Sequence, residues 1–182
     1  MHIVGISGSL RKGSYNSLLL KTALSLVPEG VTTETADIGE LPLYNFDVEQ
    51  PSHPDSVIAF KSVLAKADAF VIATPEYNYS MPGGLKNAID WASRPPNLSP
   101  LFGKPLAIMS ASTSLLGGAR AQYHLRQTCV FLDMHPLNRP EVMVSKAQEK
   151  FDAEGNLTDE IAKSLLVKQM AALVDWTNRL KR

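Results

Sequence analysis

The 182-residue chain carries 18 basic and 18 acidic side chains, a formal charge of zero, so neither a nucleic-acid footprint nor a strongly acidic carrier surface is indicated. Its length suits one domain, residues 1–182, that buries a core without covalent staples. The single cysteine, Cys129, excludes an internal disulfide or a cysteine metal cluster and points to a reducing, cytoplasmic compartment, while no apolar run approaches the ~20 residues of a membrane helix.

The first element is a short apolar run, His2 to Ile6, that ends in Ser7-Gly8-Ser9 and reads as a buried strand. Leu20, Ala23, Leu24 and Val27 then recur at helical spacing until Pro28 and Gly30 stop the helix. Val31 to Ile38 reads as a second strand, and a helix is predicted from Ser56 to Lys66. Ala69 to Ala73 is the third strand, broken at Thr74-Pro75, with a helix from Leu85 to Ala92. Pro105 to Met109 is the fourth strand, Gly117-Gly118 precedes a helix reaching Leu132, and Val142 to Val144 is the fifth strand. The last helix is predicted from Asp159 to Arg182, with acidic residues in its first turn and basic ones at its end.

Strands that are apolar throughout and alternate with helices indicate a parallel sheet covered on both faces, an α/β fold. Ligands of such sheets bind at the carboxyl ends of the strands, which directs attention to the loops that begin at Ser7, Thr74 and Ser110. The first, Gly8-Ser9-Leu10-Arg11-Lys12-Gly13-Ser14-Tyr15-Asn16-Ser17, runs into a helix N-terminus, where free N–H groups and the dipole attract anions. Ser9, Ser14, Ser17 and Asn16 can donate hydrogen bonds there, and Arg11 can add a charged pair. A nucleoside-triphosphate loop is disfavoured because Gly13 is followed by Ser14-Tyr15 rather than Lys and Ser or Thr, and Gly5, Gly8 and Gly13 miss the dinucleotide spacing. A nucleophile elbow is disfavoured because Gly5-Ile6-Ser7-Gly8-Ser9 lacks the second glycine. A monophosphate held by side chains fits best. In the second loop, Pro75 to Gly84, two prolines fix the backbone and present aromatic, amide and hydroxyl groups suited to a flat ring, with backbone N–H groups near Tyr77 and Asn78 as donors.

Gly8-Ser9-Leu10-Arg11, Ser14 and Asn16, together with Pro75-Glu76-Tyr77-Asn78, Ser80, Pro82-Gly83 and Leu85 to Trp91, resemble the NADPH-dependent FMN reductase family, which includes quinone, chromate and azo-dye reductases. The resemblance implies a flavodoxin-like three-layer fold, a five-stranded parallel sheet in the order 2-1-3-4-5, and a homodimer or homotetramer. It also implies bound FMN with NADPH or NADH as co-substrate and a quinone or similar small molecule as acceptor. Ser9, Arg11, Ser14, Asn16 and Ser17 would hold the phosphate, and Pro75, Glu76, Tyr77, Asn78 and Ser80 would line the isoalloxazine. Many similar proteins carry Pro or Gly just after the fourth strand, whereas this chain has Ser110-Ala111-Ser112, so Ser110 is assigned to the far edge of the ring. No side chain is assigned a catalytic acid or base role. The rival activities are release of reduced FMN to a monooxygenase and electron carriage without turnover.

Cys129 falls on the apolar stripe of Ala121, Leu125 and Leu132 and reads as core. The four histidines lack metal-ligand spacing. Trp91 reads as a brace for the second loop, and Arg120 as a solvated side chain at a helix start.

Overall fold

In the computed structural model, residues 1–181 are described, and they build a parallel sheet between two helical layers. The strands are β1 (His2–Ser7), β2 (Thr32–Ala36), β3 (Ala69–Ala73), β4 (Pro105–Ala111), β5 (His135–Pro136) and β6 (Val142–Val144). Helix α1 (Tyr15–Ser25) follows β1, and α2 (Phe46–Glu49) and α3 (Asp55–Leu64) follow β2. The others are α4 (Gly83–Ala92), α5 (Ala119–Cys129) and α6 (Glu160–Leu180). The sheet runs β2-β1-β3-β4-β5, with β6 also paired to β4, as a flavodoxin-like fold requires.

Each central strand sorts its side chains by its two-residue period. Ala107, Met109 and Ala111 of β4 pack with Leu19, Leu20, Leu166 and Met170 of α1 and α6. Leu106 and Ile108 point the other way, towards Phe60, Leu85, Ile89 and Leu125 of α3, α4 and α5. All seven residues of β4 are buried, the pattern of a strand covered on both faces.

The fifth strand position departs from expectation by being split. His135 and Pro136 pair with the first residues of β4, and Val142 to Val144 pair with its last three. Pro136 and Pro140 carry no N–H to donate to a ladder, which confines this strand to the sheet edge and interrupts it. Two buried glutamines bridge the gap. Gln169 of α6 donates through Nε2 to the carbonyls of Ile108 and Pro140, each at 3.0 Å. From the opposite face, Gln122 of α5 donates to Val142 O at 2.8 Å and Ser110 Oγ at 2.7 Å.

Helix α5 stops at Cys129, three residues before the expected end, because residues 130–134 close a turn in which Met134 N–H donates to Cys129 O. Cys129 is buried, and burial pushes its thiol up to about 11. The expected last residue of the final helix, Arg182, lies outside the described residues.

Trp91 braces the β2–α2 connection rather than the loop after β3. Its indole donates to Pro42 O at 2.7 Å, and its ring meets Tyr44 edge-on. Glu49, the last residue of α2, is 5% exposed. Burial pushes its carboxyl up, but the Tyr44 hydroxyl and Arg94 pull it down further, leaving it below the usual carboxylate range. That arrangement contributes stability above the ordinary carboxylate pKa and loses it as pH falls through the lowered value.

Candidate functional site

The carboxyl ends of β1, β3 and β4 open onto one cleft, lined from the first loop by Ser9, Arg11, Ser14 and Asn16 and from the second by Pro75, Glu76 and Tyr77. Tyr15, Ala111, Ser112 and Thr113 complete the lining and were not foreseen from the sequence. The strand order reverses beside β1, whose neighbours are β2 and β3, and that crevice is where open α/β sheets bind ligands.

On the first loop, Ser14 caps α1: its backbone is extended, and its Oγ accepts from Asn16 N–H at 3.2 Å. The hydroxyl proton stays available to an anion at the helix N-terminus. The Arg11 guanidinium donates to Gly13 O at 2.9 Å, shaping the loop while leaving further N–H groups for a ligand.

Asn16 holds a structural post that was expected to be a ligand contact. Its Nδ2 donates to Ala111 O at 2.8 Å and its Oδ1 accepts from Ala111 N–H at 2.9 Å. The amide therefore ties the first turn of α1 to the end of β4. Ser17 sits on the other flank of the loop, with its Oγ 2.8 Å from Ser7 Oγ, and lines a neighbouring groove between α1 and β2 rather than this cleft.

The second loop is a tight hairpin. Tyr77 N–H donates to Ser80 O at 2.9 Å and Ser80 N–H to Tyr77 O at 3.0 Å, so the Tyr77 amide expected to face the ring is spent inside the hairpin. Asn78 and Tyr79 occupy the turn with φ of 49° and 69°. Two positive φ values mark a type I′ turn. Tyr77 lines the cleft and is half exposed, whereas Asn78 and Ser80 do not line it.

Glu76 turns its carboxylate towards α5, whose cap residue, Gly118, has no side chain to satisfy the first-turn N–H groups. Glu76 Oε2 accepts from Arg120 N–H at 3.1 Å, and Oε1 accepts from Arg120 Nε at 2.6 Å. A second guanidinium nitrogen pairs with the same oxygen. A carboxylate there also meets the positive end of the α5 dipole. The Glu76 carboxylate in turn holds the Arg120 guanidinium above its usual pKa. Arg120, expected to be solvated, also stacks on the Tyr79 ring, its central carbon 3.5 Å from the centroid.

Ser110 does not reach the cleft. The sequence places the end of β4 at Met109, but the strand runs to Ala111, and the period of two turns Ser110 towards α5. There its Oγ donates to Gly117 O at 2.5 Å and accepts from Gln122, fully buried. Ser112 and Thr113, the first residues beyond the strand, take the lining position instead.

Gly118 has φ of 88°, and an added Cβ would stand 2.7 Å from Ser110 Cβ. Gly118→Ala therefore combines a left-handed backbone with a collision against a buried side chain. The expected cost is about 1–3 kcal/mol, read as a lower urea midpoint; an unchanged midpoint would mean that the loop relaxes freely.

The cleft sets hydroxyls, a guanidinium and a helix N-terminus, groups whose chemistry suits an anion, beside Pro75 and Tyr77. A flavin mononucleotide fits that division into a phosphate end and a ring end. A family model described as NADPH-dependent FMN reductase matches residues 1–149. An NAD(P)H-dependent FMN reductase of Pseudomonas aeruginosa is 58% identical over 179 residues, covering 98% of this chain and 96% of the relative. An NADPH:quinone oxidoreductase of Arabidopsis thaliana is 46% identical, covering 100% of this chain and 94% of the relative. Among solved structures, a flavoenzyme NAD(P)H:(acceptor) oxidoreductase from Paracoccus denitrificans superposes with a TM-score of 0.88 at 35% identity, covering 98% of this chain and 97% of that one.

Proposed function

This chain belongs to the NADPH-dependent FMN reductase family, and from that premise we propose that it binds FMN in the cleft and passes hydride from NADPH or NADH to a quinone or similar small acceptor. The observation that carries the reading is the meeting of Ser9, Arg11 and the Ser14 cap with Pro75 and Tyr77 in a single crevice. FMN held by these residues would supply the two-electron hydride chemistry between nicotinamide and acceptor.

The residues of the chain bind and orient. Ser9, Arg11, Ser14 and the first free N–H groups of α1 hold the phosphate. Pro75 and Tyr77 border the ring from the second loop, and Ala111, Ser112 and Thr113 border the cleft from the third. Asn16 and Glu76 serve at one remove, fixing the loops that carry these contacts. No side chain is assigned a proton-transfer role.

The reading treats residues 1–182 as one domain and the cytoplasm as the compartment, consistent with a single buried cysteine. It also takes the chain to be a homodimer or homotetramer. Support comes from exposed apolar side chains at the end of α5, where Val130 is 79% and Phe131 71% exposed. Phe102 joins them, because Gly103 N–H donates to Leu132 O. Large apolar side chains left exposed near one another favour an association surface.

Desalting of the FMN-loaded protein separates the two enzymatic readings. Co-elution of one FMN per chain and NAD(P)H-dependent quinone reduction without added flavin are expected. Loss of all flavin, with activity only at added FMN, would instead make FMN a substrate whose reduced form is released.

A further inference from the structure

We propose that Arg120 is a positioning residue for the flavin ring: through Glu76 and Tyr79 it holds the hairpin of residues 76–80 in the shape that presents Tyr77 to the cleft. The inference rests on the FMN reading of the cleft and assigns the ring-side loop its own device.

The hairpin does not hold its shape by local preference. Type I′ turns favour Asn-Gly, and this one has Asn78-Tyr79, with a bulky aromatic at φ of 69°. Such a conformation persists only where its surroundings over-determine it. Here α5 supplies the determination. Arg120 takes Glu76 before the turn through its backbone N–H and its guanidinium, and it takes Tyr79 within the turn by stacking. One helical turn along, on the same face, His124 Nδ1 lies 3.0 Å from Ser80 Oγ after the turn. The residues before, within and after the turn thus each have a partner on α5.

The Glu76 side chain is 8% exposed. Without Arg120 its carboxylate would lose its cation, and the strained turn would relax. The ring would then have to reorder the loop on binding, a cost that preorganisation removes. The phosphate end lies on a different loop and is untouched, which makes the two ends separable by ligand: FMN carries both, and riboflavin carries only the ring end.

The test measures dissociation constants of FMN and riboflavin for the parent protein, Arg120→Gln and Arg120→Lys, with the absorption band of the bound flavin and the mass in solution. In Arg120→Gln both affinities are expected to fall by the same factor, about 10-fold for a lost charged contact, with the FMN-to-riboflavin ratio unchanged and the band shifted. Arg120→Lys, which keeps a cation but loses the fork and the stack, is expected to fall between, and it serves if the glutamine variant does not fold. Tyr79→Gly added to either variant is expected to restore flavin binding, because an Asn-Gly pair adopts a type I′ turn unaided. Parent affinities in both variants would overturn the proposal. So would a loss confined to FMN, a loss that Tyr79→Gly does not rescue, or a loss that tracks a fall in mass, which would assign Arg120 to assembly. A parent protein that binds FMN no better than riboflavin would refute the phosphate-loop reading and leave the hairpin device standing.

Discussion

Arg11→Ala is expected to weaken FMN binding about 10- to 100-fold, the worth of one charged hydrogen bond to a phosphate, while riboflavin binding stays at the parent value. The guanidinium sits on the loop that enters α1, and it is partly engaged with Gly13 O at 2.9 Å. Arg11 lines the same cleft as Ser9 and Ser14, and its fork has five N–H donors, more than the loop carbonyls take up. Arg11→Lys is expected to recover part of the loss, since a lysine keeps the charge without the fork. Fluorescence titration with the two flavins reads the effect. Equal losses for both flavins would show that Arg11 shapes the loop rather than meeting the phosphate.

The largest effect on stability is expected at Asn16. In Asn16→Ala the Ala111 N–H and C=O lose partners at 2.9 and 2.8 Å in a region where both residues are 3% exposed. Two buried backbone groups left unsatisfied cost about 1–3 kcal/mol each, so a total near 3 kcal/mol and a melting temperature lower by roughly 6–12 °C are expected. Because the same amide ties the first turn of α1, next to the first loop, to the end of β4, FMN affinity should fall as well, and saturating FMN should recover part of the melting temperature by mass action. A variant that melts with the parent would show that water replaces the amide at no cost.

That the first loop lines a cleft was legible because its signals are local. A strand that ends in glycine and serine, a hydroxyl cap and a helix lie within one stretch of chain, and the structure brings Ser9, Arg11 and Ser14 to one cleft. The alternation of apolar strands and helices was legible for the same reason. Roles that depend on distant partners were not. Asn16 meets Ala111 across 95 positions, and Glu76 meets Arg120 across 44. A donor and its acceptor so far apart leave no periodicity to read.

Ser110 was misplaced because a serine after an apolar run looks like the end of a strand. The ladder instead continues to Ala111, and Gln122 satisfies the hydroxyl from α5. The break in the fifth strand had a visible cue in Pro136 and Pro140. Only the structure shows that side chains of helices on opposite faces of the sheet, Gln169 and Gln122, supply hydrogen bonds across the gap.

The central claim is that FMN in this cleft is turned over by nicotinamide and a small acceptor. It is tested most directly by the visible spectrum of the FMN-loaded, desalted protein under anaerobic conditions, recorded as NADPH and then a benzoquinone are added. The flavin band is expected to bleach with NADPH and to return in full with the quinone; a flavin that stays bound but never bleaches would contradict the account and leave the protein a carrier.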